Sequence, residues 1–286
     1  MNEIKNVLSL FDGISCGQIA LNRAGIKYDN YFASEIDKYA IKVTQHNYPN
    51  TVQLGDVCNI VEKDLPKIDL LIGGSPCQGF SFAGKQLNFD DPRSKLFFEF
   101  VRLKNECNPK YFLLENVNMK KEYQDVITEC LGVSPVKINS ALVSAQNRNR
   151  LYWTNMNIED LPIDKHMNMN DIIDSNYHST RNKSYCIDAN YRKGTNFRRY
   201  FYCGSRQLVL EKGYHPCNMT KETANEIMHR DGNKWRKLTA LECERLQTIP
   251  ENYTNILSNF ERYKVLGNAW TVDVIVHIFS FMQRVE

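Results

Sequence analysis

Short apolar runs alternate with amphipathic stretches through the first half of this chain. Val7 to Phe11 is a strand-length run ending at the turn Asp12-Gly13, and a helical pattern follows from about Ser15 to Ala24. Tyr31 to Ser34 reads as a second strand, Lys38 to His46 as a helix, and Asp69 to Ile72 as a strand running into Gly73-Gly74. Ser94 to Lys104 has helical spacing, Tyr111 to Leu114 reads as a strand, and Gln124 to Leu131 as a further helix. Strands alternating with helices predict an α/β fold: a mostly parallel sheet with right-handed crossovers and helices on both faces.

From about Asn157 to Asn233 the alternation fades into polar, aromatic and basic sequence, with strand-like pieces at Tyr200 to Cys203 and Gln207 to Leu210. A helical pattern returns at Ala240 to Thr248, and a last apolar helix is expected from about Val272 to Met282, able to pack back on the larger domain. The expected organisation is a large domain over 1–156, a smaller one over 157–262, and a terminal segment over 263–286 that returns to the first.

With 286 residues, 42% of them hydrophobic and 24% charged, the chain can bury a full core without disulfides. Its start lacks the basic-then-apolar layout of a signal peptide, and no run approaches the roughly 18 apolar residues of a membrane span. The nine cysteines are scattered and form no C-x-x-C pair, which argues against a metal site or a secreted disulfide scaffold and for a reducing cytoplasm. A net charge of +3 conceals an asymmetry. Residues 181–236 carry 12 Lys/Arg against 5 Asp/Glu, whereas the rest of the chain holds 24 against 28. Such a segment suits a polyanion, or a solvated basic surface.

In open parallel sheets, ligands lie beyond the carboxyl ends of the strands. Here those positions are Asp12 to Gly17, Glu35, Gly73 to Ser81 and Glu115 to Val117. Cys77 directly follows Pro76, which fixes its own backbone and biases Ser75 toward extended geometry, so the thiol is held at a defined angle. A nucleophile and an inert packed cysteine both remain open for this residue alone. The polar loop from Gln78 to Arg93 has the composition of a lid over substrate. Glu115 is delivered to the same rim, either to meet a ring nitrogen or as a carboxylate at a helix start. On a strand, Gln146, Arg148 and Arg150 share one face; two guanidiniums there suit phosphate or carbonyl recognition, or form a basic edge. Phe11 to Gly17 resembles a nucleotide-binding turn, and Glu35 and Asp56 are either acceptors for a ribose and an adenine amino group or plain turn and cap residues.

In order, these segments closely resemble the cytosine-5 DNA methyltransferase family. SLFDGISCGQIAL (9–21) is similar to the cofactor-loop motif, SEID (34–37) to the ribose-binding acid, and GDV (55–57) to the adenine-binding Asp. GGSPCQGFS (73–81) is similar to the nucleophile motif, DPRSKLFFEF (91–100) to the following helix, and ENV (115–117) to the catalytic glutamate motif. QNRNRLYW (146–153), RKLTALECERLQTIP (236–250) and GNAWTVDVI (267–275) match the later motifs, so the likeness covers nearly all of the chain except 157–233. Asp12 within Phe-Asp-Gly and Ala269-Trp270-Thr271 after Gly-Asn depart from many bacterial members and resemble the mammalian de novo enzymes' catalytic domains.

The resemblance implies a Rossmann-like class I fold that uses S-adenosylmethionine, with S-adenosylhomocysteine as product, and a smaller target-recognition domain. It implies Cys77 as nucleophile on carbon 6 of a flipped-out cytosine, Glu115 on the ring nitrogen and amine, Arg150 on the carbonyl oxygen and Arg148 on the phosphate. It places the cofactor against Phe11, Asp12, Gly13, Ile14, Ser15, Gly17, Glu35, Ile36, Asp56 and Val57, with Ser75, Pro76, Leu96, Asn268 and Trp270 as further pocket wall. Candidate DNA contacts are Gln78, Ser81, Lys193, Arg198, Arg199, Arg206 and Arg236. No metal and no membrane are expected. Double-stranded DNA is the expected partner of a monomer, with room for a cognate restriction endonuclease. A tRNA cytosine-5 methyltransferase and an inactive DNA-binding paralogue are the alternatives; the first typically carries Pro-Pro-Cys where this chain has Ser75-Pro76-Cys77.

Overall fold

A computed structural model describes residues 4–75 and 92–283 of the chain. They form two compact units: one from the residues up to 138 with 149–161 and those from 272 on, the other from 139–148 and 162–271.

The first unit contains, in chain order, β1 (Asn6–Leu10), α1 (Cys16–Arg23), β2 (Asn30–Ser34), α2 (Lys38–Asn47), β3 (Val52–Gln53) and β4 (Leu70–Gly73). There follow α3 (Pro92–Cys107), β5 (Tyr111–Val117), α4 (Lys121–Leu131), β6 (Val136–Asn139) and β7 (Asn149–Thr154). The sheet order is β3-β2-β1-β4-β5-β7-β6. Strands β1 to β5 run parallel to their neighbours and β7 is antiparallel to β5. The central strands are buried on both faces, which is why they read as apolar runs rather than as alternating sequence. On one face Leu8, Leu10, Leu71, Phe112 and Leu114 pack with Phe97, Phe100 and Leu103 of α3 and Ile127 and Leu131 of α4. On the other, α1 lies so close that a Cβ at Gly17 would stand 2.4 Å from Ile72 Cδ1 and 2.6 Å from the Tyr31 hydroxyl. Helix α3 begins two residues before its expected start, at Pro92, whose fixed φ suits a first helical turn.

The second unit contains α5 (Met169–Ile172), β8 (Tyr177–His178), β9 (Leu208–Glu211), α6 (Ala224–Arg230), β10 (Trp235–Lys237), α7 (Ala240–Leu246) and α8 (Asn259–Asn268). Its strands form an antiparallel sheet in the order β10-β9-β8. A small core of Phe197, Tyr200, Leu208, Leu210, Ala224, Ile227 and Met228 packs within it. The strand expected at Tyr200 to Cys203 is instead a wide helical turn over Arg198–Tyr202. Phe197 and Tyr200 are buried three residues apart with two exposed arginines between them, a helical spacing that a strand cannot satisfy.

The expected domain limits also shift. Helix α9 (Val272–Phe279) belongs to the first unit and packs on α1, where Arg23 and Asp273 form an ion pair. Residues 263–271, expected to travel with it, stay in the second unit. The reason is local: a Cβ at Gly267 would stand 2.1 Å from the carbonyl carbon of Asp188, so α8 is seated directly on the 188–189 backbone. The stretch Asn259–Met282 has the length and composition of a membrane span, but Ala269 is extended and breaks it into two helices, and 67% of its most apolar window is buried. Because that contact is backbone on backbone, Gly267→Ala is expected to cost about 3 kcal/mol or more, read as a lowered midpoint in thermal unfolding.

Candidate active site

The register of the parallel strands builds the site. Leu10 pairs with Ser34 of β2 and with Gly73 of β4, and Gly73 pairs with Leu114 of β5. The next residue of each strand, Phe11, Glu35, Gly74 and Glu115, therefore comes to one rim. The sheet order reverses between β1 and β4, so this rim borders the crevice in which doubly wound sheets hold their ligands.

The β1–α1 loop is conformationally costly. Phe11, Gly13 and Ser15 have φ of 56°, 60° and 61°, and two of them carry side chains, at about 1–3 kcal/mol each. Glu35 holds the loop: its Oε2 accepts from Gly13 N at 2.8 Å, and its Oε1 accepts from Ile36 N at 2.7 Å and Asp37 N at 2.8 Å. Ile36 beside it is 76% exposed, an apolar surface offered at the rim. Asp56 is exposed and spends Oδ1 on Cys58 N at 3.0 Å, leaving Oδ2 for another donor. Ile14, Gly17 and Val57 are buried, so only their backbones can reach a ligand. Leu96 is half-buried against the core of the α3 face. The Asp12 carboxyl turns inward: Oδ1 accepts from the Tyr31 hydroxyl at 2.8 Å and Oδ2 is sealed without a partner among the described residues. Asn268 and Trp270 lie in the second unit, at and just beyond the end of α8. Pro76, Cys77, Gln78 and Ser81 lie outside the described residues.

Within the last residues of β5, Glu115 is 9% exposed and Arg150 Nε donates to its Oε1 at 2.8 Å. Glu115 pairs with Tyr152 and Val117 with Arg150, so the two charges are diagonal neighbours across the antiparallel ladder. Asn116 ties this end of β5 to the end of β4, its Nδ2 donating to Ser75 Oγ at 3.2 Å.

Arg148 does something else. The expected strand over 146–150 starts only at Asn149, and Arg148, 4% exposed, belongs to the second unit. Its guanidinium donates to Ile187 O at 3.0 Å, Ala269 O at 2.9 Å and Gly267 O at 3.4 Å. Two of these carbonyls close the C-terminal end of α8, where a cation is favoured. Gln146 is equally internal, donating to Leu246 O and accepting from Ile187 N. The guanidinium that the resemblance sets against a phosphate thus makes these internal hydrogen bonds in the structure.

A sequence model of the C-5 cytosine-specific DNA methylases matches residues 5–154 and 119–284, nearly the entire chain. The chain belongs to that family. A Lactococcus lactis protein, type II methyltransferase M1.ScrFI, is 32% identical over 98% of this chain and 78% of its own length. Type II methyltransferase M.NlaX of Neisseria lactamica is 29% identical over 97% and 96%. Among solved structures, the Entamoeba histolytica methyltransferase EhMeth superposes with a TM-score of 0.77 at 19% identity, covering 98% of both chains. Family membership carries the enzyme class, methyl transfer to carbon 5 of cytosine in DNA, and with it dependence on S-adenosylmethionine. The rim fits such a cofactor. Glu35 retains acceptor capacity for hydroxyls and Ile36 beside it offers an apolar face, while the loop's own N–H groups at Asp12, Gly13 and Ser15 are spent on Ser34 O, Glu35 and Asp12 O.

In this methylase the basic segment is less free than its formal charge suggests. Arg236 makes two hydrogen bonds to Glu242 at 2.8 Å and stacks on Tyr177, and Arg206 donates to Gly194 O at 2.7 Å. Lys183 caps the carbonyls of Ala141 and Ser144, and Lys234 pairs with Glu211. Lys193, Arg198 and Arg199 remain as exposed cations. The 239–242 spacing Thr-x-x-Glu, a capping box at α7, is the signal that could have shown Glu242 turned toward Arg236.

The two arginines of the same motif are expected to separate on substitution. Arg148→Met strands buried carbonyls and should lower stability by about 3 kcal/mol, roughly 6–12 °C in thermal unfolding; Arg150→Met instead strands the Glu115 carboxylate, a loss that adding Glu115→Gln should partly restore, whereas no single second change should rescue Arg148→Met.

Proposed function

We propose that this methylase acts on a cytosine swung out of a short duplex DNA sequence, with Cys77 as covalent nucleophile. The observation that supports this reading is the Glu115–Arg150 pair at the strand rim, beside the Asn116 hydrogen bond to Ser75, the residue that precedes Pro76-Cys77 in the sequence.

The target base must leave the stack, because its ring face is closed in the duplex. The Cys77 thiolate adds to carbon 6, and the electron pair displaced from the carbon 5–carbon 6 double bond makes carbon 5 nucleophilic. Glu115 holds a proton at the ring nitrogen and accepts from the exocyclic amine, so charge arriving in the ring is met by a fixed group. Arg150, anchored by Glu115, presents its remaining N–H groups to the carbonyl oxygen. Bound S-adenosylmethionine supplies the electrophilic methyl group. Loss of the carbon 5 proton to solvent base returns the electron pair, and the carbon 6–sulfur bond breaks to free Cys77. Phe11, Glu35, Ile36 and Asp56 hold the cofactor, with the backbones of residues 13–17. The second unit carries target recognition, with Lys193, Arg198 and Arg199 as its DNA contacts and Gln78 and Ser81 contributing from the nucleophile loop. We extend the reading to a monomer in a bacterial or phage-infected cytoplasm, with or without a cognate endonuclease.

Tritiated methyl transfer to unmethylated duplex DNA, with tRNA as a control, tests it. Label is expected in DNA alone, abolished by Cys77→Ala and lowered about 10²–10³-fold in kcat by Glu115→Gln. Label confined to tRNA, or full activity of Cys77→Ala, overturns the proposal. Arg198→Ala/Arg199→Ala should reduce the slope of log K against log salt by about 2 if both arginines meet phosphates; an unchanged slope removes them from the interface.

A further inference from the structure

The chemistry above leaves one group of the β1–α1 loop unused. Asp12 is partly buried as a residue, and its Oδ2 is shielded from solvent and has no hydrogen-bond partner among the described residues. Orphaned polar oxygens are costly when buried. Burial pushes the Asp12 carboxyl up to about 6; the Ser9, Tyr31 and Ser15 hydroxyls oppose the rise and Glu35 adds to it.

Among the described residues, the groups around it offer no positive charge. From β2 and the loop before it come Tyr31, Glu35 and Tyr28, of which the last is itself pushed up to about 12. From the α1 side come Ser15 and Gln18, linked by a 2.9 Å hydrogen bond, and α2 contributes Thr44, whose hydroxyl donates to Gly13 O at 3.4 Å. An acid has thus been built into the cofactor loop without a counter-ion among the described residues.

S-adenosylmethionine carries a sulfonium and is net positive, whereas the thioether product, S-adenosylhomocysteine, is net neutral. We propose that the Asp12 carboxylate is the counter-charge by which this site prefers the cationic cofactor to its neutral product. The inference rests on the reading that the β1–α1 loop holds S-adenosylmethionine. Asp12 is then a specificity-determining residue: it discriminates by charge, at the loop the ligand enters, while the contacts to ribose and adenine are common to both ligands.

The sign of the pH dependence follows. Below about pH 6 the free protein holds Asp12 protonated, so the cation must displace that proton and its affinity falls as pH falls, toward tenfold per unit. Well above pH 6 the carboxylate is already formed and affinity levels off. From pH 5 to pH 7 both ligands keep an ammonium and a carboxylate, and only above that range does the sulfonium make the amine of S-adenosylmethionine the more acidic, so between pH 5 and pH 7 the ratio of the two Kd values reports the protein's group.

Titration calorimetry of the full chain with each ligand between pH 5 and pH 7, in two buffers of different ionisation heat, tests this. In the wild type the preference for the cationic ligand should rise about tenfold from pH 5 to pH 7, with proton release at the lower pH. Asp12→Asn should bind S-adenosylhomocysteine as before, show a preference that no longer varies with pH, and release no proton. Tyr31→Phe, which removes the donor to Oδ1, should move the midpoint of the pH dependence upward. An Asp12→Asn variant with the wild-type pH dependence overturns the inference. If neither ligand binds the wild type, the proposed function falls first.

Discussion

One carboxylate holds the ligand rim in shape. Glu35 accepts backbone N–H groups from Gly13, Ile36 and Asp37, and so fastens the loop after β1 to the loop after β2. Without an acceptor there, three donors at the mouth of a buried sheet would go unmet and the left-handed turns at 11, 13 and 15 would lose the partner that makes them tolerable. The parallel register brings the strand ends level, and Glu35 converts that level edge into a fixed surface. The same carboxylate keeps acceptor capacity in reserve, so one side chain can serve both architecture and ligand.

The alternation of strands and helices in the first unit was legible because parallel strands buried on both faces leave nearly unbroken apolar runs, as in β1 and β4. The rim residues followed from it, since a strand's end locates its loop. The 146–150 segment was harder. Period-two spacing treats Arg148 and Arg150 as equals, but the strand begins between them, and two residues of the same type go to opposite purposes. Nothing in local sequence announces that Arg148 meets carbonyls contributed from 187 and 267–269, because those partners are 39 and more than a hundred residues distant. The sealed carboxyl of Asp12 was equally invisible, since it depends on Tyr31 arriving from the neighbouring strand.

In the second unit, aromatic and basic residues interleave, and composition alone reads them as a nucleic-acid surface. Much of the aromatic content is core: Phe197 and Tyr200 are buried, and Tyr191 reaches Gln207 O and Leu238 N with its hydroxyl. Several cations are likewise spent on capping carbonyls or on ion pairs within the unit. Charge counting overestimates a binding field wherever the guanidinium is the group that closes a loop.

The seating of α8 and Arg148 has a consequence for how such chains exchange parts. The second unit is assembled from two separate stretches, 139–148 and 162–271, and its buried guanidinium spans both. A swap of the contiguous middle alone would leave foreign carbonyls facing a resident arginine, or the reverse. Inheritance of a different second unit therefore favours crossovers near 138, 148, 161 and 271, so that the lock travels with its key.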